Sequence, residues 1–271
     1  MTAAVTATDL VLAYRSKVAV ARSSFHIPDN TVTAIIGPNG SGKSTLLNAI
    51  AGLHEPAAGT LEVAARRTND HRVAYVLQTT KVNDALPVTV REVVTMGRYA
   101  GSNPRRRLRS RDRSAVGEAM RRTEVVDLAG RHLQELSGGQ RQRVFLAQGL
   151  AQDHDLLLLD EPLTGIDLPT AQAIDEVIHE EVENGCSVVM TTHDLTEARV
   201  ADHVVLLAGR VIAAGPPDEV LTTSHLAEAY GSALLHVTDG TVFLDDPAHA
   251  SVPGPHVHRD RSSPDPTGDD H

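Results

Sequence analysis

Gly37-Pro38-Asn39-Gly40-Ser41-Gly42-Lys43-Ser44 follows the apolar run 32–36 and opens a stretch, 43–51, in which Leu46, Leu47 and Ile50 recur at helical spacing. These residues match G-x-x-x-x-G-K-[ST] between a strand and a helix, the context in which that pattern carries meaning. Glycines permit a tight turn whose backbone N–H groups converge on phosphate oxygens, and the helix N-terminus adds positive potential. Lys43 has the charge and reach for outer phosphates, and the Ser44 hydroxyl is a ligand for Mg²⁺. Gly52 is placed to end the helix.

Working outward, the segments 10–14, 19–27 and 31–36 are short, apolar and bounded by turn residues, which predicts strands with an antiparallel start. Strands are expected again at 59–63 and 73–77. From 89 to 152 the sequence uses Glu, Arg, Ala and Leu heavily and has no long β-branched run, so a separate helical layer is expected there. Strand signals return at 156–160, 187–191 and 203–207, with a helix at 170–183 between the first two. This is the βαβ rhythm of a parallel sheet. A short β extension is expected at 231–245. The stretch 246–271 carries five prolines and five aspartates with almost no large apolar residue, and is expected to be a disordered tail.

Composition narrows the function. The chain has 271 residues, 41% hydrophobic and 22% charged, close to an ordinary globular protein, while the α/β class rests on the order of strands and helices above. A net charge of -10 is the wrong sign for gripping a nucleic-acid backbone, so no nucleic-acid partner is expected. No uninterrupted apolar run, 156–159 among them, exceeds five residues, far below the roughly 20 residues of a membrane-spanning helix. No basic region followed by an apolar stretch opens the chain, so a cytosolic address is expected. The single cysteine, Cys186, cannot form an internal disulfide, and its apolar surroundings in sequence predict a small buried thiol.

Two further motifs carry chemistry. The apolar strand 156–159 ends in Asp160 and Glu161, at the strand end where open α/β sheets bind ligands. Asp160 suits the Mg²⁺ shell, and Glu161 suits a general base toward an attacking water. Leu136-Ser137-Gly138-Gly139-Gln140 precedes the helical run 141–151, so a serine and two glycines cap a second helix N-terminus and form a second anion site. Two unrelated phosphate turns serve one nucleotide if the protein pairs with a second copy of itself.

Together these residues resemble the ATP-binding subunit of an ABC transporter over residues 8–230, most of the chain. The motifs run in the family's order: a Walker A loop from Gly37 to Thr45, a Q-loop glutamine at Gln78, the signature at Leu136 to Gln140, Walker B ending at Asp160 with Glu161, a D-loop aspartate at Asp167 and a switch histidine at His193. The resemblance implies a P-loop NTPase with a RecA-like core, an antiparallel β subdomain and an inserted α-helical subdomain at about 89–152, within a cassette spanning 1–230. It implies ATP and Mg²⁺ as ligands, with Ser44, Gln78 and Asp160 at the metal. It places Tyr14 on the adenine, a contact that uses the ring face and needs no base-specific hydrogen bond. It implies a head-to-tail dimer in which Ser137, Gly138, Gly139 and Gln140 of one copy close over the nucleotide of the other. Gln78, Glu161 and His193 would act on that nucleotide from its own chain. Leu77 stands where many relatives have proline, and Thr164-Gly165-Ile166-Asp167 replaces the commoner D-loop wording; neither removes a catalytic group.

A cassette without a membrane-spanning helix must work on a separate integral permease, from the cytoplasmic face of the membrane. The D-loop, the segment 90–99 ending in Gly97-Arg98-Tyr99, and Arg141-Gln142-Arg143-Val144 resemble importers of zinc and manganese, and the whole is similar to the actinobacterial type of zinc importer ATPase. Such systems also use an extracellular metal-binding protein. Manganese and iron-siderophore importers are the alternative cargo readings, and a soluble non-transport ABC ATPase is the alternative of another class. The histidines His249, His256, His258 and His271 lie in the tail; His256 and His258 with Asp260 have the chemistry for loose zinc binding, but their spacing fits no structural zinc site. Arg105, Arg106, Arg107, Arg109, Arg111 and Arg113 form a basic block that reads as a solvated loop and helix start, or as a contact for anionic lipid or an acidic permease surface.

Overall fold

A strand of consecutive leucines must be covered on both faces, because successive side chains point to opposite sides of a sheet. A computed structural model of the chain describes residues 2–15, 17–66, 72–78, 87–99 and 108–231, and the backbone alone of 235–238 and 241–244. In chain order the elements are β1 (Ala3–Tyr14), β2 (Lys17–Pro28), β3 (Val32–Ile36), α1 (Lys43–Ile50), β4 (Ala58–Val63), β5 (Val73–Val76), α2 (Val90–Met96), α3 (Ser110–Arg122), α4 (Gly138–Leu150) and β6 (Leu156–Asp160). They continue as α5 (Leu168–Glu183), β7 (Ser187–Thr192), α6 (Leu195–Val200), β8 (His203–Leu207), β9 (Val211–Gly215), α7 (Pro217–Val220), α8 (Thr223–Tyr230), β10 (Leu235–Thr238) and β11 (Thr241–Leu244).

The main sheet has six strands in the order β5-β6-β7-β3-β8-β9. All are parallel except β9, which runs antiparallel to β8. Every residue of β3, β6, β7 and β8 is buried. Alternation divides these strands between two cores. Leu157, Leu159, Val188, Met190, Ala34 and Ile36 pack toward the helical layer. Leu156, Leu158, Val189 and Ile35 pack toward α1 and the antiparallel sheet β2-β1-β4.

Several boundaries differ from the sequence reading. The strand expected at 10–14 begins at Ala3; small residues, Ala4 and Ala7, carry much of its inward face, so its alternation is faint in the sequence. The helical layer is not one run but α2, α3 and α4, joined in part by single 3-10 turns at Gly97–Tyr99, Val126–Leu128 and Leu133–Glu135. The edge strand β9 and the short helices α6, α7 and α8 were not anticipated. β9 is mostly half-buried, and α6 and α7 are too brief for a periodic signal. At the far end β10 and β11 form an antiparallel hairpin. The tail 246–271 with its histidines lies outside the described residues, as do Arg105, Arg106 and Arg107; Arg109, Arg111 and Arg113 sit exposed at the start of α3. Among the described residues no helix is long and apolar enough to cross a membrane.

The Gly97-Arg98 pair ties the end of α2 to α3 and to the end of α4. A Cβ at Gly97 would stand 2.3 Å from the Gln148 carbonyl oxygen, so α2 and α4 approach to backbone contact there. The Arg98 guanidinium donates to the Ala151 carbonyl at 2.7 Å, to Asp153 Oδ1 at 2.9 Å and to Asp112 Oδ1 at 3.1 Å. Asp112 is 2% exposed and also accepts the Arg109 N–H at 2.7 Å, capping α3. Replacing Arg98 by alanine removes the nearer of the two cations at the buried Asp112 carboxylate, leaving Arg111 Nε at 4.0 Å, and should lower unfolding free energy by about 3 kcal/mol in urea titrations. Adding Asp112→Asn to that variant should recover part of the loss.

Candidate nucleotide site

The register of the parallel strands brings the motif residues to one edge. Ile36 lies beside Thr192 and Asp160 beside Thr191, so Gly37, Glu161 and His193 leave neighbouring strands at the same level. Leu156 and Leu158 belong to the core under α1, and a period of two places Asp160 on that same side. Ser44, one residue into α1, donates its hydroxyl to Asp160 Oδ1 at 3.2 Å. The Thr191 hydroxyl donates to the same oxygen at 2.9 Å and accepts the Glu161 N–H at 2.9 Å. Glu161 has a left-handed backbone, φ 52°, which costs a side-chain-bearing residue about 1 kcal/mol. Thr191 therefore both orients the buried Asp160 carboxylate and holds the strained turn that directs Glu161. On the neighbouring β5, burial and then the Asp160 charge push the Tyr75 phenol far up, so it stays neutral.

The phosphate loop is clamped from outside. Gly42 has φ 107°, and a Cβ there would lie 2.7 Å from Val20 Cγ2 and 2.9 Å from the Ala19 carbonyl oxygen, so β2 rests directly on the turn. The Gly209 N–H donates to the Ser41 carbonyl at 3.0 Å, and the Ala21 N–H to the Gly209 carbonyl at 2.7 Å. Lys43 is buried, and its ammonium donates to the Gly37 carbonyl at 2.7 Å and the Pro38 carbonyl at 3.3 Å. Asn39 and Gly40 are exposed, and Thr45 is half-buried in the first turn of α1. The Ser41 hydroxyl is buried and has no hydrogen-bond partner among the described residues. Such a group is destabilising by about 1–3 kcal/mol unless an acceptor arrives, and a phosphate oxygen is one. Ser44 and Asp160 together form an all-oxygen pair suited to a hard divalent cation, so the residues present fit Mg²⁺.

Gln78, just past β5, donates from Nε2 to Glu161 Oε2 at 2.9 Å. This hydrogen bond places Gln78 with the proposed base, whereas the Asp160 oxygen is held by Ser44 and Thr191. His193 follows β7, and Glu197 on α6 lies within electrostatic range of His193 and Glu161. Burial raises the Glu197 carboxyl above its usual range, partly offset by a hydrogen bond with Thr192. Tyr14 is 48% exposed, not a core tyrosine, and its ring meets the His54 imidazole at 4.4 Å between centroids.

The signature turn is built separately. Ser137 caps α4, accepting the Gln140 N–H at 3.3 Å while its own N–H donates to Gln140 Oε1 at 3.0 Å. Ser137 and Gly138 are exposed, and a Cβ at Gly139 would lie 3.0 Å from Thr170 Oγ1. Asp167 caps α5 by accepting the Thr170 N–H at 3.0 Å, and hydrogen bonding from the Thr170 side chain, then from its N–H, lowers the Asp167 pKa. Signature and D-loop thus form one exposed face whose polar groups bond locally. Thr191 and Glu197 were missed in the sequence; a hydroxyl inside an apolar strand was the only signal for Thr191.

Residues 20–164 match the family described as ABC transporter. The chain is 41% identical over 256 residues, 92% of its length and 96% of the relative's, to the zinc transport system ATP-binding protein TroB of Treponema pallidum (strain Nichols). It is 39% identical to the chelated iron transport system membrane protein YfeB of Yersinia pestis, covering 84% and 79% of the two chains. It is 36% identical to the manganese transport system ATP-binding protein MntB of Bacillus subtilis (strain 168), covering 85% and 94%. Among solved structures, the ATP-binding cassette MJ0796, a dimer in a post-hydrolysis state bound to ADP and Pi, superimposes with TM-score 0.67 at 26% identity over 79% of this chain and 98% of that one.

Because one hydroxyl serves both carboxylate residues, Thr191→Val should lower stability by about 2 kcal/mol in thermal or urea unfolding. Thr191→Ser, which keeps the hydroxyl, should lose much less.

Proposed function

The chain belongs to the ABC transporter family of ATP-binding subunits, and we propose that it powers uptake of a divalent metal ion, zinc, through a separate membrane permease. It is an ATPase. The observation that carries the reading of its site is the pairing of Gln78 with Glu161 next to the Lys43, Ser44 and Asp160 set, at the open ends of β3, β5, β6 and β7.

In this reading the loop 37–45 wraps the phosphates of ATP, and Lys43 transfers its hydrogen bonds from the Gly37 and Pro38 carbonyls to the outer phosphate oxygens. Ser41 finds its missing acceptor there. Ser44, Asp160 and Gln78 would hold Mg²⁺, which when bound would neutralise charge on the phosphates. Glu161, aimed by its turn and held by Gln78, accepts the proton of the attacking water. His193 contacts the terminal phosphate. Tyr14 offers its exposed ring to the adenine.

Ser137 and Gly138 lie exposed with Asp167 on one face, with Gly139 and Gln140 half-buried beside them, and in this reading the four signature residues complete the site of a second copy, head to tail. The dimeric form of MJ0796 supports that assembly. The permease partner, the location at the cytoplasmic face and an extracellular metal-binding protein follow from the kinship with metal importers. Zinc is favoured by the 41% identity to TroB.

Glu161→Gln keeps an acceptor for Gln78 and removes the base, so ATP binding should persist while hydrolysis falls by about 10²–10⁴. Normal turnover would remove Glu161 from the role. Lys43→Ala should abolish tight ATP binding, measured by equilibrium titration, because it deletes the charge at the outer phosphates. For the cargo, a strain lacking the gene should fail to grow under a zinc chelator and recover with added zinc; recovery with manganese or iron alone would reassign it.

A further inference from the structure

Cys186 has a chemistry that its place in an apolar stretch concealed. It stands just before β7, at the end of the strand opposite Thr192 and therefore about 20 Å from the catalytic edge. There it meets His154, from the connection between α4 and β6, and Glu181, from the last turn of α5. One imidazole nitrogen, one carboxylate oxygen and the thiol sulfur all lie within 4.8 Å of one another. The three side chains are 6%, 8% and 5% exposed for His154, Glu181 and Cys186 respectively, the last figure for the whole residue.

The structure assigns to His154, Glu181 and Cys186 a buried site for a borderline divalent cation of the zinc class, held through Nε2, a carboxylate oxygen and Sγ. The donor set is a mixed N, O, S set, of the kind zinc takes with bonds of about 2.0–2.3 Å. Donors of a tetrahedral zinc shell stand about 3.5 Å apart at those bond lengths. The Nε2 to Glu181 Oε2 distance of 2.8 Å and the 4.8 Å limit bracket that spacing. The outer groups are also those of a metal site. His154 Nδ1 faces the Gln152 carbonyl at 2.9 Å, which keeps a hydrogen on Nδ1 and turns Nε2 inward. Arg122 Nη1 holds the other Glu181 oxygen at 2.6 Å.

The proton is the competing occupant. Both histidine nitrogens face oxygen acceptors, so the ring carries two hydrogens, and the thiol donates its hydrogen to the Ser187 carbonyl at 3.4 Å. Coordination forms metal–nitrogen, metal–oxygen and metal–sulfur bonds and releases the Nε2 proton and the thiol proton to solvent. One dication replaces two protons, and the net charge of the buried cluster is unchanged, which avoids the large penalty of burying extra charge. This site uses none of the tail histidines as ligands and does not depend on which metal the transporter carries.

Cobalt(II) tests it, because a thiolate ligand gives a sulfur-to-metal charge-transfer band in the near ultraviolet and Cys186 is the one cysteine of the chain. The full-length reduced protein is titrated with Co²⁺, both after folding and during refolding, so that burial cannot hide the site. The expected result is a charge-transfer band saturating at one ion per chain, bleached by Zn²⁺, absent in Cys186→Ser, and requiring at least about tenfold more metal in His154→Gln. Bound metal should also raise the midpoint of thermal unfolding in the wild type and less in Cys186→Ser. Cobalt binding without that band in the wild-type chain, no band under either protocol, or a band unchanged in His154→Gln would each overturn the assignment.

Discussion

Four strands whose every residue is buried impose the constraint on which the rest depends. β3, β6, β7 and β8 must supply apolar atoms to two cores at once, one beneath the helical layer and one beneath α1 and the antiparallel sheet. Polar chemistry has little place along their length, so it collects at their ends. Alternation then decides where each end residue points. Asp160 continues the side of Leu156 and Leu158 and meets Ser44 on α1. The Thr191 hydroxyl, which bonds both the Asp160 carboxylate and the Glu161 N–H, joins the two neighbouring strand ends.

A second consequence concerns residues that look diagnostic of cargo. Gly97-Arg98-Tyr99 resembles wording shared by metal and siderophore importers, yet Gly97 and Arg98 are occupied with packing. Gly97 permits backbone contact with α4, and Arg98 neutralises buried Asp112 while bonding the end of the core helix. Their roles belong to attaching the helical layer, and a likeness there says more about how that layer is held than about what is transported. The cargo reading accordingly rests on whole-chain kinship.

Much of the fold was legible. The phosphate loop stood out because its glycines, lysine and serine are each required by local geometry, and the buried strands because their apolar runs are continuous. Ser137 could be placed at a helix start because a cap is set by the residues next to it, whereas the cap that Asp167 makes on α5 shows only in the structure. What escaped was carried by small or partly exposed residues. β1 begins seven residues earlier than its strong alternation, since alanines line its inner face, and β9 is a half-buried edge with little pattern of its own.

By itself the sequence determined the nucleotide chemistry, since backbone amides in a glycine turn, a lysine and two acids at a strand end have few other uses together. Only the tertiary structure decided how those groups share partners: that Gln78 holds Glu161, that Thr191 serves two carboxylate residues, and that the Ser41 hydroxyl is buried without a partner among the described residues. The same is true of His154, Glu181 and Cys186, drawn from a loop, a helix end and the residue before a strand. Local patterns report periodicity and turns, whereas hydrogen bonds between residues far apart in the chain are set by strand register and helix packing, which no short stretch encodes.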